Sequence, residues 1–184
     1  RGEGIVNGHR VTEDPMAVRQ SVGYMPDNFG VYDGMKVWEF LDFFAVAYRI
    51  KRSTRRKVIA DVLDLLDLGH KRDDFVNGLS RGMKQRLCLA KTLVHDPPVL
   101  ILDEPTAGMS QEEVPAILEL LEKIKDLRDR TLLLVEHKMD MIMTLSDTIA
   151  VLQDGRLIAD GNPDDIHQSE TVQKAYLGGG TRSE

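Results

Sequence analysis

Leu79-Ser80-Arg81-Gly82-Met83-Lys84-Gln85-Arg86 and, shortly after it, Val99-Leu100-Ile101-Leu102-Asp103-Glu104-Pro105 decide how this chain folds. Ser80 can cap a helix that Pro97 and Pro98 terminate, so a helix is expected from Ser80 to about His95. Val99 to Leu102 is a continuous apolar run, the pattern of a strand buried on both faces of a parallel sheet. It ends in two adjacent carboxylates. Strand ends in an α/β sheet face the ligand crevice. Asp103 there suits Mg2+, usually held through water. Glu104 beside it can orient or polarise an attacking water. Taken alone, Asp-Glu-Pro reads first as a solvated turn after a core strand, since short motifs match often by chance.

Working outward, Ser80 and Gly82 open a helix whose unpaired N–H groups and positive dipole end suit a phosphate. Glycine lets the backbone approach a ligand closely. A simple capped helix needs nothing more than the same residues. His137 follows a second apolar run, Thr131 to Val135, where an imidazole can donate to a phosphate or orient a water. Asp27 follows the short strand Val22 to Met25, which Pro26 stops, and can reach the same crevice. Each of these residues has an ordinary structural reading as well.

The flanking sequence supplies the rest of an α/β alternation. Ile5 to Val11 is apolar around Asn7-Gly8, a hairpin signal. Val37, Phe40, Leu41, Phe44 and Tyr48 recur at helical spacing, as do Val58, Val62, Leu65 and Leu66. Residues 35–78 therefore read as a small helical subdomain. Ser110-x-x-Glu113 reads as a capping box. It leads a helix with the stripe Ile117, Leu120, Leu121, Ile124 and Leu127, and Pro115 sits awkwardly in its first turn. Thr131 to Val135 reads as another buried strand. Thr148–Gln153 and Arg156–Ala159 read as a hairpin around Asp154-Gly155, Asn162-Pro163 starts a short helix, and residues 178–184 read as a disordered tail.

The 184 residues carry 24 Lys and Arg against 30 Asp and Glu, a net charge of -6, which argues against a general nucleic-acid binder. The basic stretch Lys51 to Lys57 reads as a solvated face. Cys88 is the single cysteine, so no internal disulfide forms and a reducing compartment is expected. No apolar run is long enough to span a membrane. Arg1-Gly2-Glu3-Gly4 has no apolar core of a signal peptide.

In this order and spacing, Pro26-Asp27, a helical insert, Leu79 to Arg86, Val99 to Glu104 and His137 resemble the ATP-binding domains of ABC transporters from residue 1 to about 177. The likeness is to the Q-loop, helical subdomain, signature, Walker B and H-switch of that family. It implies an α/β, P-loop NTPase-like core with a mostly parallel sheet. Residues 1–34 would be part of the nucleotide-binding core, 35–78 the inserted helical subdomain and 79–177 the remaining core. No Gly-x-x-x-x-Gly-Lys-Ser/Thr phosphate loop occurs in the 184 residues, so an N-terminally truncated member is expected.

The resemblance implies ATP and Mg2+ as cofactors. Ser80 and Gly82, with Arg81 and Met83 of the same turn, would meet the γ-phosphate of an ATP held by a second ATP-binding subunit, in a homo- or heterodimer. Asp103 would hold Mg2+ through water, Glu104 would polarise the attacking water, and His137 would contact the γ-phosphate. Asp27 stands where the family has its Q-loop glutamine. Arg81 and Met83 replace the usual glycine and glutamine of the signature, and Ser110 replaces the aspartate that closes the D-loop. The implied partners are transmembrane permease subunits, with the chain peripheral on the cytoplasmic face of the membrane and no nucleic acid bound.

Residues 20–100 resemble ATPases of ABC-2-type exporters. From 103 onward the chain resembles branched-chain amino-acid or urea importer ATPases. Without a phosphate loop, the chain by itself is expected to hydrolyse ATP very slowly or not at all. A catalytically dead interaction module, docking on a transmembrane partner or lending its signature to an intact subunit, is the alternative expectation.

Overall fold

A computed structural model describes residues 2–27, 30, 32, 34–127 and 129–178. The chain divides into two compact units, Arg1–Val135 and Glu136–Glu184.

The first unit opens with the expected hairpin. Asn7 and Gly8, both at positive φ (48° and 80°), turn β1 (Ile5–Val6) onto β2 (His9–Arg10). A helix that the apolar periodicity did not reveal follows, α1 (Pro15–Ser21). Its signal is the Asp14-Pro15 pair: the Asp14 carboxylate accepts from the Ala17 N–H at 3.0 Å, and proline takes the first turn.

The central sheet is parallel. β4 (Val99–Asp103) lies between β3 (Val22–Met25) and β5 (Thr131–Val135), with Leu102 opposite both Met25 and Leu134. Leu100 and Leu102 are fully buried, whereas Val99, Ile101 and Asp103 on the other face are only half-buried. β5 departs further from the expected buried strand, since Leu133 and Val135 are 53% and 51% exposed. The reason lies in what covers each face. α4 (Arg81–Leu93) packs on β3 from the Gly23–Leu100 side. On the other side Tyr24, Ile101 and Leu133 form a row across the sheet, and Tyr24 is 50% exposed.

Between β3 and α4 lie α2 (Val37–Ala47) and α3 (Arg52–Leu65), followed by 3-10 turns at Gly69–Lys71 and Val76–Gly78. The Glu39 carboxylate accepts from the Lys36 N–H at 2.8 Å and so caps α2. Val37, Phe40, Leu41 and Ala45 are buried on α2, and Ile59, Val62, Leu63 and Leu66 along α3 and its end. The α3 stripe is thus shifted from the sequence reading, because Leu65 points outward at 37% exposure.

α5 (Val114–Asp126) begins later than the Ser110 cap suggests. Glu113 does reach back to the Ser110 N–H at 3.1 Å, but Ser110 Oγ donates to that same carboxylate at 3.3 Å instead of capping the helix. Pro115 consequently falls in the first turn of α5, where its missing N–H is no loss. Ile117, Leu120, Leu121 and Ile124 are buried as expected, whereas Leu127, just past the helix, is 58% exposed.

In the second unit, β6 (Ile149–Gln153) and β7 (Arg156–Gly161) form the expected hairpin, turned by Asp154 and Gly155 at positive φ. α6 (Met139–Leu145) precedes it, and α7 (Pro163–Gln168) and α8 (Glu170–Gly178) follow. Asn162 caps α7 by accepting from the Asp165 N–H at 3.0 Å. Ile149, Ile166 and Val172 make this unit's core. Helix α8 reaches Gly178, and the remainder of the expected tail lies outside the described residues.

One contact in the first unit is sensitive to pH. The Tyr48 and His95 rings stack 3.6 Å apart at 4°, and His95 Nε2 lies 3.2 Å from the Val22 carbonyl. Burial pushes the imidazole pKa down, outweighing the Val22 carbonyl and Asp96, which pull it up. The penalty for protonating His95 is absent above its unfolded pKa, about 6.5, and grows as pH falls from there toward the lowered folded value. The urea midpoint, read by the single tryptophan, Trp38, should therefore drop between about pH 7.5 and about pH 5.5. The drop should be shallower in His95→Gln. Parallel profiles for the two proteins would exclude the contact as the cause.

Candidate functional site

The carboxyl ends of β3 and β4 bring three of the candidate carboxylates to one end of the sheet. Parallel register sets Met25 beside Leu102, so Pro26-Asp27 and Asp103-Glu104 leave adjacent strands together. Tyr24 senses both groups. Its hydroxyl donates to Asp103 Oδ2 at 3.3 Å. Its pKa is raised first by partial desolvation, then by the charge and hydrogen bond of Asp103, then by the charge of Asp27. Tyr24 has no place in the sequence reading of the site, and the register of β3 against β4 is what reveals it.

Glu104 is held in a specific backbone state. Its φ is +44°, left-handed geometry that a non-glycine residue adopts at a cost. Two hydrogen bonds hold it there: the Glu104 N–H donates to the Val135 carbonyl at 2.9 Å, and the Ala107 N–H donates to the Glu104 carbonyl at 2.8 Å. The side chain is half-buried, and Thr106 below it is fully buried. Residues at strand ends in such backbone states are a recurrent feature of functional sites.

The second cluster is the start of α4. Ser80 Oγ accepts from the Met83 N–H at 3.2 Å, the side-chain cap that the sequence implies. Gly82 is buried, and a Cβ there would lie 2.5 Å from Glu113 Oε1. Arg81 takes a direction that the sequence does not disclose. Its Nε donates to the Ala107 carbonyl at 3.3 Å, and Gln85 Nε2 donates to the same oxygen at 3.3 Å. The Arg81 guanidinium lies so close over Gly108, at φ +63°, that any Cβ there would run into it. Arg81 thereby ties the Ser80 turn to the turn that follows Glu104. The only local hint was the glycine in Thr106-Ala107-Gly108-Met109.

His137 belongs to the second unit. Its N–H and that of Lys138 donate to Glu136 Oε2 at 3.1 and 3.3 Å, which fixes the start of that segment. Its side chain is 67% exposed, and Nδ1 lies 3.9 Å from the same carboxylate oxygen.

The residue types at these positions are those that Mg2+ and phosphate use, and among the described residues no three His, Cys, Asp or Glu gather as a metal cluster. Asp27 and Asp103 are hard oxygen ligands of the kind Mg2+ takes together with water. The start of α4, a 13-residue helix, carries a hydroxyl and a buried glycine where an anion is favoured.

Comparison with known proteins bears on the family and the fold. The sequence profile of the ABC transporter family matches residues 1–107. The methionine import ATP-binding protein MetN of Haemophilus ducreyi is 30% identical over 181 residues, covering 95% of this chain and 52% of that protein. The Nod factor export ATP-binding protein I of Burkholderia orbicola is 35% identical over 163 residues, 89% of this chain and 53% of its own length. The chain thus spans about half the length of these two relatives. It spans 9% of the rat ATP-binding cassette sub-family A member 17, which is 33% identical over 168 residues. Among solved structures, cbiO1 of Clostridium perfringens, part of the ABC transporter complex cbiONQ, superposes with a TM-score of 0.81 at 28% identity, covering 94% of this chain and 71% of that one. The chain belongs to the ABC transporter family and has the α/β fold of its nucleotide-binding domains.

Proposed function

We propose that the chain is the hydrolytic and signature part of an ATP-binding subunit that powers transport through separate transmembrane permease subunits. The observation that carries this reading is the tie from Ser80-Arg81-Gly82 to the turn after Asp103-Glu104, two clusters that meet in one unit. The names of the import and export relatives support the same role. Among the described residues no helix is long and apolar enough to cross a membrane. The proposed location is peripheral, on the cytoplasmic face.

Each residue has a task in this reading. Asp103, with Asp27 nearby, holds Mg2+ through water, and Mg2+ when bound neutralises charge on the phosphates of ATP. Glu104 orients and polarises the attacking water. Ser80 and Gly82 offer a hydroxyl and backbone N–H groups to the γ-phosphate of an ATP held by a second ATP-binding subunit. His137 contacts the γ-phosphate. Arg81 supports the Glu104 turn from the signature side, and Met83 serves through its N–H to Ser80.

The 184 residues contain no phosphate loop, whose N–H cradle and lysine supply most of the grip on the β- and γ-phosphates. That observation favours a second reading, an interaction module that lends its signature to an intact subunit. Titrating Mg-ATP calorimetrically into the 184-residue chain, folded by circular dichroism, tests the assignment of this grip to a phosphate loop. No micromolar binding is expected. Micromolar binding would mean that another segment of these residues grips the phosphates, and would overturn that assignment.

A further inference from the structure

The junction of α2 and α3 is strongly basic, and the proposed ATP chemistry does not use it. Residues 43–57 hold six Lys or Arg and no Asp or Glu, in a chain whose net charge is -6. Arg55 pairs with Asp42 at 2.8 Å and Lys57 with Asp61 at 2.6 Å. Arg49, Lys51, Arg52 and Arg56 are exposed and make no ion pair among the described residues. The junction is ordered: Arg49 adopts φ +61°, and the Ile50 N–H donates to the Ala45 carbonyl at 2.9 Å.

Two further observations bear on this patch. First, the cations crowd the N-terminal turns of α3, where a helix dipole repels positive charge, and four of them are left without an ion pair among the described residues. Second, large apolar side chains adjoin the cations along the chain. Phe43, Val46 and Tyr48, at the end of α2, are 47%, 50% and 38% exposed. Phe43 and Val46 are three residues apart and share a helix face.

A partner for this surface must offer both negative charge and an apolar medium. An anionic bilayer interface does so, with phosphates for Lys and Arg and acyl chains just beneath for aromatic and aliphatic side chains. A nucleic-acid backbone would set the three apolar side chains against sugar and phosphate, and the net charge of -6 would oppose an extended contact. From the geometry we infer that the α2–α3 junction docks on anionic phospholipid headgroups, with Arg49, Lys51, Arg52 and Arg56 on the phosphates and Phe43, Val46 and Tyr48 at the interface. This contact goes beyond the proposed ATP chemistry and is independent of it.

Co-flotation of the 184-residue chain with vesicles tests the proposal. The chain should float with phosphatidylglycerol–phosphatidylcholine vesicles and not with phosphatidylcholine alone, and high salt should release it. Each neutralised cation should lower partitioning about fivefold. Lys51→Gln/Arg52→Gln/Arg56→Gln should therefore lose on the order of 100-fold. Lys123→Gln/Arg156→Gln/Lys174→Gln, an equal charge change elsewhere, should lose much less. Val46→Ser should weaken binding while keeping its salt dependence. All these side chains are exposed, so the circular dichroism melts should match the parent. No flotation with anionic vesicles would overturn the proposal, as would equal losses in the two triple variants. Binding to soluble poly-glutamate without vesicle binding would replace the lipid with an acidic protein.

Discussion

Gly23→Val is expected to unfold much of the first unit under conditions in which the parent chain is folded. Gly23 is buried in β3, where α4 crosses the sheet. A Cβ there would stand 2.6 Å from the Thr92 carbonyl oxygen, 2.8 Å from Pro97 Cγ and 2.8 Å from Thr92 Cγ2. The first of these atoms belongs to the helix backbone, so no side-chain rotation relieves it, and α4 has to retreat. α4 brings Leu87, Cys88, Leu89 and Leu93 to the core. Burial pushes the Cys88 thiol up to about 11, as expected for an inert core residue.

Overpacking of this kind costs about 1–3 kcal/mol for one methyl group and more for a branched side chain. Whole-domain stability is about 5–15 kcal/mol. Gly23→Ala should lower the urea midpoint clearly, and Gly23→Val should abolish the cooperative transition of Trp38 fluorescence. A Gly23→Val midpoint equal to that of the parent would show that α4 does not rest on β3 as described. The retreat would also carry Ser80 and Arg81 with the helix, so the same substitution should disturb the site that α4 opens.

How much of this was legible from the residues can be judged element by element. Short-range signals were reliable where one side chain satisfies one backbone group. Ser80 caps α4, Asn7-Gly8 turns a hairpin and Asn162 caps α7, all as their spacing indicates. Apolar runs identified β4 and β5 but overstated their burial. A run of leucines reports that a strand is apolar, and only the packing of helices decides which face is covered. The helical stripes failed at their edges, where Leu65 and Leu127 match the period yet point outward.

Within the candidate site, the strand ends were readable from the apolar runs that precede them, and the register brings the residues after Met25 and Leu102 to one end of the sheet. The contacts were not. Tyr24 meets Asp103 across 79 positions, and Arg81 meets Ala107 across 26. Such pairs depend on strand register and on one rotamer, neither of which is a local property. The left-handed φ of Glu104 was equally hidden, since nothing in Asp-Glu-Pro demands it.

The largest expected effect concerns Glu104. In the proposed reading its carboxylate polarises the attacking water, and general-base assistance is worth roughly 100- to 10,000-fold in rate. Glu104→Gln removes the proton-accepting charge while keeping size and polarity. The backbone geometry at φ +44° should survive, because the bonds to Val135 and from Ala107 are made by the main chain. Binding and turnover should therefore separate.

The most direct measurement is phosphate release by the chain joined, ahead of Arg1, to a strand–Gly-x-x-x-x-Gly-Lys-Ser–helix segment that supplies a phosphate cradle. The completed protein should bind Mg-ATP and turn it over, and its Glu104→Gln variant should bind as tightly while losing at least roughly 100-fold in rate. A folded completed protein that binds Mg-ATP but turns it over equally well with glutamine at 104, or not at all with glutamate, would contradict the assignment of hydrolysis to this site.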